Sequence, residues 1–351
     1  MIFILSCSIS LAHEPVQKLH IPLGEEVKGI TLNGHLSGRK VYKLGPDINI
    51  ENCWQDSVQW TGKELYFGLT AINFSELLSG KGFKYKSDCL LPSTQISPNF
   101  DIYRAVLNNG AWTISNQSKL NSIESDAAIG VSGTNIAFIR FFNYPKSYDI
   151  FLSELDNNNE WGQPVEYPFN SKCKEDNPAL FNDGIDIIFE SSRKDPEGKK
   201  CYSPSSDTME LWHSKQNCDG SWSLPSLLPK EVNKGTKNTQ PWVDEINHLL
   251  YWTADKEGGV IKRISFDGEK VSGKSEIILR PNLAALANGS AHGQVVFIGE
   301  YSEANDYVFI ACATALSGGK FMNKWDIEID LCIIPPKHIN LSPTSLNQND
   351  K

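Results

Sequence analysis

The sequence predicts an all-β propeller of five four-stranded antiparallel blades, or of six if residues 24–48 supply a blade of their own. Three observations carry that expectation. A strand–turn–strand unit recurs, and its openings at Asp56, Asp126, Asp176 and Asn238 lie about 50–70 residues apart, a period that suits one four-stranded blade. Asn-Asp-Gly, Asn-Asn-Gly and Asp-Gly turns punctuate the apolar runs, which is a strong short-range hairpin signal. Trp112, Trp161 and Trp222 return at one position of the unit. A single four-stranded unit cannot bury both of its faces, so stacking around an axis supplies the core.

The clearest unit is Glu175–Trp222. An acidic start and Pro178 lead into an apolar strand, then a turn at Asn182–Gly184. Strands follow at Ile185–Phe189 and Met209–His213, and Asp219-Gly220 with Trp222 closes the unit. A first unit spans Asn52–Ser118, with a hairpin over Asp56–Thr70, an insertion from Ala71 to Asn99, a third strand at Asp101 and a turn at Asn108–Gly110. A second spans Glu124–Phe169, with its third strand at Asp149. The fourth spans Asn238–Leu279, and the fifth Ser290–Ile334, with its third strand at Asp326–Cys332. Strands expected at Val27–Leu32 and Lys40–Leu44 would pack on the last unit or complete it, so that N- and C-terminal strands share one blade and leave no open edge. The expected division is a leader over 1–12, a strand segment over 13–48, the propeller over 49–335 and a polar, disordered tail over 336–351.

The chain has 351 residues, 40% of them hydrophobic, and a net charge of −9. That balance argues against a nucleic-acid partner, since phosphate backbones need clustered Lys and Arg. The opening Met1–Ala12 resembles the apolar core and small-residue cleavage site of a secretory leader, although its basic start is missing. It is too short to span a bilayer, and no later run has spanning length. Ile4-Leu5-Ser6-Cys7 offers the alternative of a lipoprotein anchored through Cys7. Secretion or a periplasmic location is therefore expected, and eight cysteines suit an exported chain. None has CxxC zinc spacing. Disulfides are the better reading: Cys53 with Cys89, Cys312 with Cys332, and one pair among Cys173, Cys201 and Cys218. Asn73, Asn116, Asn288 and Asn340 each begin an Asn-X-Ser sequon, which matters only in a eukaryotic source.

Pro178-Ala-Leu-Phe-Asn-Asp-Gly-Ile-Asp-Ile-Ile-Phe-Glu-Ser-Ser-Arg193 resembles the PD40, or WD40-like, repeat of TolB-type propellers. Asp101-Ile-Tyr103, Asp149-Ile-Phe151 and Asp326-Ile-Glu328 resemble that repeat's later Asp-Ile-Tyr strand. The likeness covers roughly Asn52–Ile334 and is best in the third unit. The Asp-Gly turn is lost in the second unit, where Ser132-Gly-Thr-Asn stands, and in the fourth. The separate N-terminal α/β domain of TolB-type proteins is not expected here, because the short segment before the first unit leaves no room for one. The resemblance implies a fold and leaves the role open.

Acids at the entries of the inner strands would converge at one mouth of the axis. Asp56, Asp126 and Glu175 are the candidate catalytic set, with Asp176 replacing Glu175 if the latter faces outward. The layout loosely resembles five-bladed furanosidase-type glycosidases, which use a base, a pKa modulator and an acid. The structural alternative is that these acids cap strands and bind backbone. Asp176, Asn238, Trp242 and Arg193 are the expected ligand-binding residues. The tryptophans at the repeat position are read as packing between blades, or else as a platform for a flat ligand. No cofactor is expected. Calcium at the acidic mouth and copper at a His13 terminus exposed by cleavage are the metal alternatives. The chain has no Gly-x-Ser-x-Gly elbow and no phosphate loop. The expected role is non-catalytic binding or scaffolding for a protein or carbohydrate, with glycoside hydrolysis as the alternative.

Overall fold

Five antiparallel sheets form a five-bladed β-propeller. The computed structural model describes residues 19–73, 89–91, 94–95, 99–142, 147–235, 237–254, 259–282, 292–316 and 327–337. Three N-terminal strands, β1 (Leu23–Glu26), β2 (Ile30–Leu32) and β3 (Tyr42–Leu44), precede the first blade. Blade 1 is β4 (Trp54–Trp60), β5 (Glu64–Thr70), β8 (Asp101–Asn108) and β9 (Ala111–Asn116), with the small β6 (Leu90–Leu91) and β7 (Thr94–Gln95) ribbon in its insertion. Blade 2 is β10 (Ser125–Ser132), β11 (Asn135–Phe142), β12 (Ser147–Glu154) and β13 (Val165–Glu166). Blade 3 is β14 (Glu175–Phe181), β15 (Asp186–Ser191), β16 (Glu210–Lys215) and β17 (Ser226–Leu227). Blade 4 is β18 (Asn238–Asp244), β19 (Leu249–Ala254), β20 (Val260–Phe266) and β21 (Val271–Pro281), extended by β2. Blade 5 is β22 (Val295–Ala304), β23 (Tyr307–Ala315) and β24 (Ile327–Ile334), extended by β3 and then β1.

The second strand of every blade is covered on both faces by its neighbours. It therefore reads as a continuous apolar run rather than an alternation. Phe67, Phe138, Phe189, Trp252 and Ile310 hold the same register position and are all buried. The outermost strands of blades 2 and 3 are only two residues long and exposed, which limits edge-to-edge pairing. Trp161 of blade 2 packs edge-on against Tyr66 of blade 1, and Trp222 against Tyr167. Trp112 packs edge-on against Trp60 within blade 1.

A recurrent asparagine ties the third strand of four blades to the segment beyond the blade's fourth strand. Asn121 accepts from Ile102 N–H at 2.7 Å and donates to Ile102 O at 3.0 Å. Asn170 repeats this on Ile150, Asn233 on Leu211, and Asn49 on Leu331. Each clamp gives a backbone N–H of the third strand its acceptor and adds a donor to the carbonyl of the same residue. Asn121→Ala is expected to lower stability by about 1 kcal/mol, read from the urea midpoint; a loss of a few tenths or less would mean that water replaces the clamp.

Cys53–Cys89, Cys173–Cys201 and Cys312–Cys332 form disulfides, leaving Cys218 free and exposed. The N-terminal segment does not stay with one blade: β3 pairs with β24, whereas β2 pairs with β21 of blade 4. The expected leader over 1–12, Cys7, His13 and the chain beyond Lys337 lie outside the described residues.

A candidate ligand cavity at the propeller axis

Every inner strand carries a β-bulge at the same point. The register shifts between Asp56 and Gln59, Ala127 and Gly130, Asp176 and Ala179, Thr239 and Trp242, and Gly299 and Ser302. The first extra residue has positive φ in all five blades: Ser57 62°, Ala128 50°, Asn177 42°, Gln240 52° and Glu300 54°. None is glycine, so each conformation costs about 1 kcal/mol or more. Bulges re-aim side chains, and here they turn these residues onto the axis.

Four of the five bulge side chains then bond to backbone or side chains in an adjacent blade. Ala128 N–H donates to Ser57 Oγ at 2.9 Å, Val58 N–H to Glu300 Oε2 at 2.7 Å, and Glu300 N–H to Gln240 Oε1 at 3.0 Å. Asn177 Nδ2 donates to Thr239 Oγ1 at 3.2 Å and to Glu190 Oε1 at 2.7 Å. Ala128 has nothing to offer, so the ring of links is open at blade 2. Just beyond, Gly130 lets β10 approach β14; a Cβ there would lie 2.3 Å from Pro178 O.

A cavity of about 500 Å³ opens over that gap, within the range of small-molecule sites. One wall is the edge-on pair Trp54–Phe100, 4.7 Å between centroids, and another is Phe141–Tyr148 at 4.6 Å. Ile72 and Ile139 fill between them. Asp56, Asp176, Asn177, Gln240 and Glu300 form the polar side, with Lys237 and the rim residues Asn99 and Glu124. A narrow extension of about 20 Å³, room for about one water, continues past all five bulge residues.

The polar side holds the Asp56–Glu300 pair and Asp176, which is paired with Glu190, a residue that does not line the cavity. Burial raises the Asp56 pKa, although Glu300, Ser57 N–H and the Trp54 indole hydrogen-bond it. Burial and the adjacent Asp56 charge push Glu300 well above the usual range. Burial lifts Asp176 to about 6, and burial with the Asp176 charge lifts Glu190, its register partner on β15, to about 8. Each pair is most stable holding a proton on its glutamate, which then donates to the aspartate.

The candidate catalytic acids separate by one residue of register. Asp56 and Asp176 immediately precede the bulge and line the cavity, whereas Asp126 and Glu175 stand one residue earlier and do not line it. A one-residue step in a strand reverses the face. Asp126 is fully buried, bonding Arg140 Nε at 2.7 Å and Ser122 N and Oγ. Glu175 repeats the arrangement with Arg193 at 2.8 Å and Ser171 N and Oγ. Of the expected ligand-binding residues, Asp176 lines the cavity. Arg193 is fully buried in the ion pair, Asn238 is buried, and Trp242 packs on Tyr251 and Tyr301 between blades 4 and 5. Among the described residues no three His, Cys, Asp or Glu side chains converge as metal ligands.

Glu190, Gln240, Glu300 and the aromatic walls were not singled out from sequence. One signal was available for part of this. Asn177-Pro178 and Gln240-Pro241 place a proline mid-strand, where it belongs only at an edge or a bulge. Aligning those pairs sets the register and puts Asp176, not Glu175, before the bulge.

No family profile matches the chain, and no curated protein matches it in sequence. Among solved structures it is similar to TolB from Acinetobacter baumannii, at 12% identity and TM-score 0.39 over 81% of this chain and 54% of that one. The chain thus spans about half the length of that TolB. It is also similar to the α-L-arabinofuranosidase PaAbf62A from Podospora anserina, crystallised with cellotriose, at 10% identity and TM-score 0.46 over 90% of this chain and 97% of that one. A thermostable family-43 glycoside hydrolase aligns at 12% identity and TM-score 0.45, over 81% and 92% of the two chains.

Proposed function

We propose that this protein is an exported propeller that binds a carbohydrate in the axial cavity without cleaving it. The observation that carries the reading is the composition of that cavity, where the Trp54–Phe100 and Phe141–Tyr148 walls face the carboxyl and amide groups of Asp56, Asp176, Asn177 and Gln240. Sugar rings present apolar C–H faces and a rim of hydroxyls, and a site with an aromatic side and an acceptor-rich side complements both. The non-catalytic half of the reading is supported by the ion pairs that engage Asp126 and Glu175 away from the cavity. Export is supported by the leader-like start and by three disulfides, which persist in oxidising compartments.

A glycan array on the secreted protein, followed by calorimetry with the best binder, tests the reading. Trp54→Ala is expected to weaken that binder by at least about tenfold, or about 1.4 kcal/mol. Binding that survives the substitution, or no glycan bound at all, would overturn it. Chromatography of the same mixture reads cleavage: product formation abolished by Asp56→Asn and Asp176→Asn would replace binding with hydrolysis by those two carboxyls.

A further inference from the structure

We infer, resting on the carbohydrate reading above, that the ligand is an N-acetylated sugar whose acetamido group seats over Ala127 and Ala128. Blade 2 departs from its neighbours at the bulge residue and the residue before it, two of the three cavity-lining positions of its inner strand. Blade 1 supplies Asp56 and Ser57 there, and blade 3 supplies Asp176 and Asn177; blade 2 supplies two methyl groups. Ala128 is held at φ 50°, and it is the one bulge residue whose side chain forms no hydrogen bond in return. Asparagine, which tolerates this conformation better than alanine does, stands at the same point in blade 3. Strain retained at a residue whose side chain makes no bond in return, beside a cavity, points to a role for the space it leaves open.

That space is an apolar notch closed by Ile139 and Phe141 of the same blade. Carboxylates flank it on both sides, Asp56 from blade 1 and Asp176 from blade 3. An acetamido group matches this arrangement: its methyl needs an apolar recess, and its N–H needs an acceptor beside that recess. A bare hydroxyl in the same place would reach the flanking carboxylates but leave the apolar recess unfilled. The notch therefore distinguishes sugars by the substituent, while the aromatic walls hold the ring.

The test is a pair of calorimetric titrations of the intact secreted protein with two neutral sugars that differ only in this group, N-acetyllactosamine and lactose. Wild type is expected to prefer the acetylated sugar by at least about tenfold, the scale of a methyl-sized group in an apolar pocket. In Ala128→Asn, which fills the notch with a side chain already used in blade 3, the ratio of the two affinities is expected to fall to about one. A wild-type ratio near one would overturn the acetyl assignment while leaving carbohydrate binding in place. A high ratio unchanged by Ala128→Asn would overturn the placement over blade 2. Failure to bind either sugar would overturn the acetyl assignment, and in a protein that binds no glycan on the array it would remove both readings. The wild-type ratio alone decides the first point, whatever the variant does.

Discussion

Arg193→Ala is expected to destabilise the protein by about 3–5 kcal/mol. Both Arg193 and Glu175 have no exposed side-chain surface. The guanidinium donates to Glu175 at 2.8 Å, to Phe169 O at 2.8 Å, to Pro196 O at 3.2 Å and to Ser191 Oγ at 3.1 Å, and it lies over the Phe189 ring. Removing it strands a buried carboxylate that keeps only Ser171 and Ser191 as partners, together with two backbone carbonyls. Taking away one member of a buried pair costs far more than the pair contributes, because the remaining charge stays desolvated. The double variant Glu175→Gln with Arg193→Met should therefore recover much of the loss. Urea denaturation of the three proteins checks this. A cost below about 1 kcal/mol for Arg193→Ala, or a double variant no better than the single one, would show that the pair is not a structural clamp.

Glu190→Gln is expected to act in the opposite direction, stabilising the fold by about 2 kcal/mol at alkaline pH and by little near pH 5. Glu190 Oε2 is buried and finds no donor among the described residues. Glu190 is raised to about 8 by burial and by Asp176, whose own value is lifted to about 6 by burial. Lys174 and Lys237 lower the Asp176 value, and Thr239, Asn177 and Lys237 lower that of Glu190, without offsetting burial. A carboxyl whose folded value lies above its unfolded one binds more protons when folded. Its presence therefore weakens the fold as pH rises from the ordinary carboxylate range towards about 8. Glutamine keeps the acceptor for Asn177, supplies N–H to Asp176 and does not titrate. The gap between variant and wild type should widen from about pH 5.5 to about pH 8.5. Measurements should be made with Cys218 blocked, because a free exposed cysteine can exchange with the disulfides. A gap that is constant with pH, or a wild type more stable than the variant at the alkaline end, would refute the shared-proton account. The Asp56–Glu300 pair has the same sign, so the wild-type protein should itself gain stability on mild acidification.

These two predictions rest on acids that looked alike in sequence. Asp126, Glu175 and Asp176 all open an inner strand, yet two hold arginines in ion pairs and one lines a cavity. What the sequence determined unaided is whatever depends on local order. Turn chemistry at Asn182–Gly184, continuous apolar runs at the second strands and a recurring opening acid were enough for five blades. Proximity within one unit was enough to pair Cys53 with Cys89 and Cys312 with Cys332.

Only the tertiary structure decided which face each acid takes, because side chains alternate with a period of two and a one-residue misalignment of Asp56 with Asp126 reverses the outcome. It also decided the bulges. A non-glycine residue at positive φ carries no mark in sequence unless a proline follows, as at Asn177 and Gln240, and Ser57, Ala128 and Glu300 have none. Glu300 meets Val58, 242 positions away in the chain, through closure of the ring, and no local signal encodes that contact. The division of the N-terminal strands between blades 4 and 5 has the same origin: an edge strand joins whichever open ladder the closed ring brings beside it.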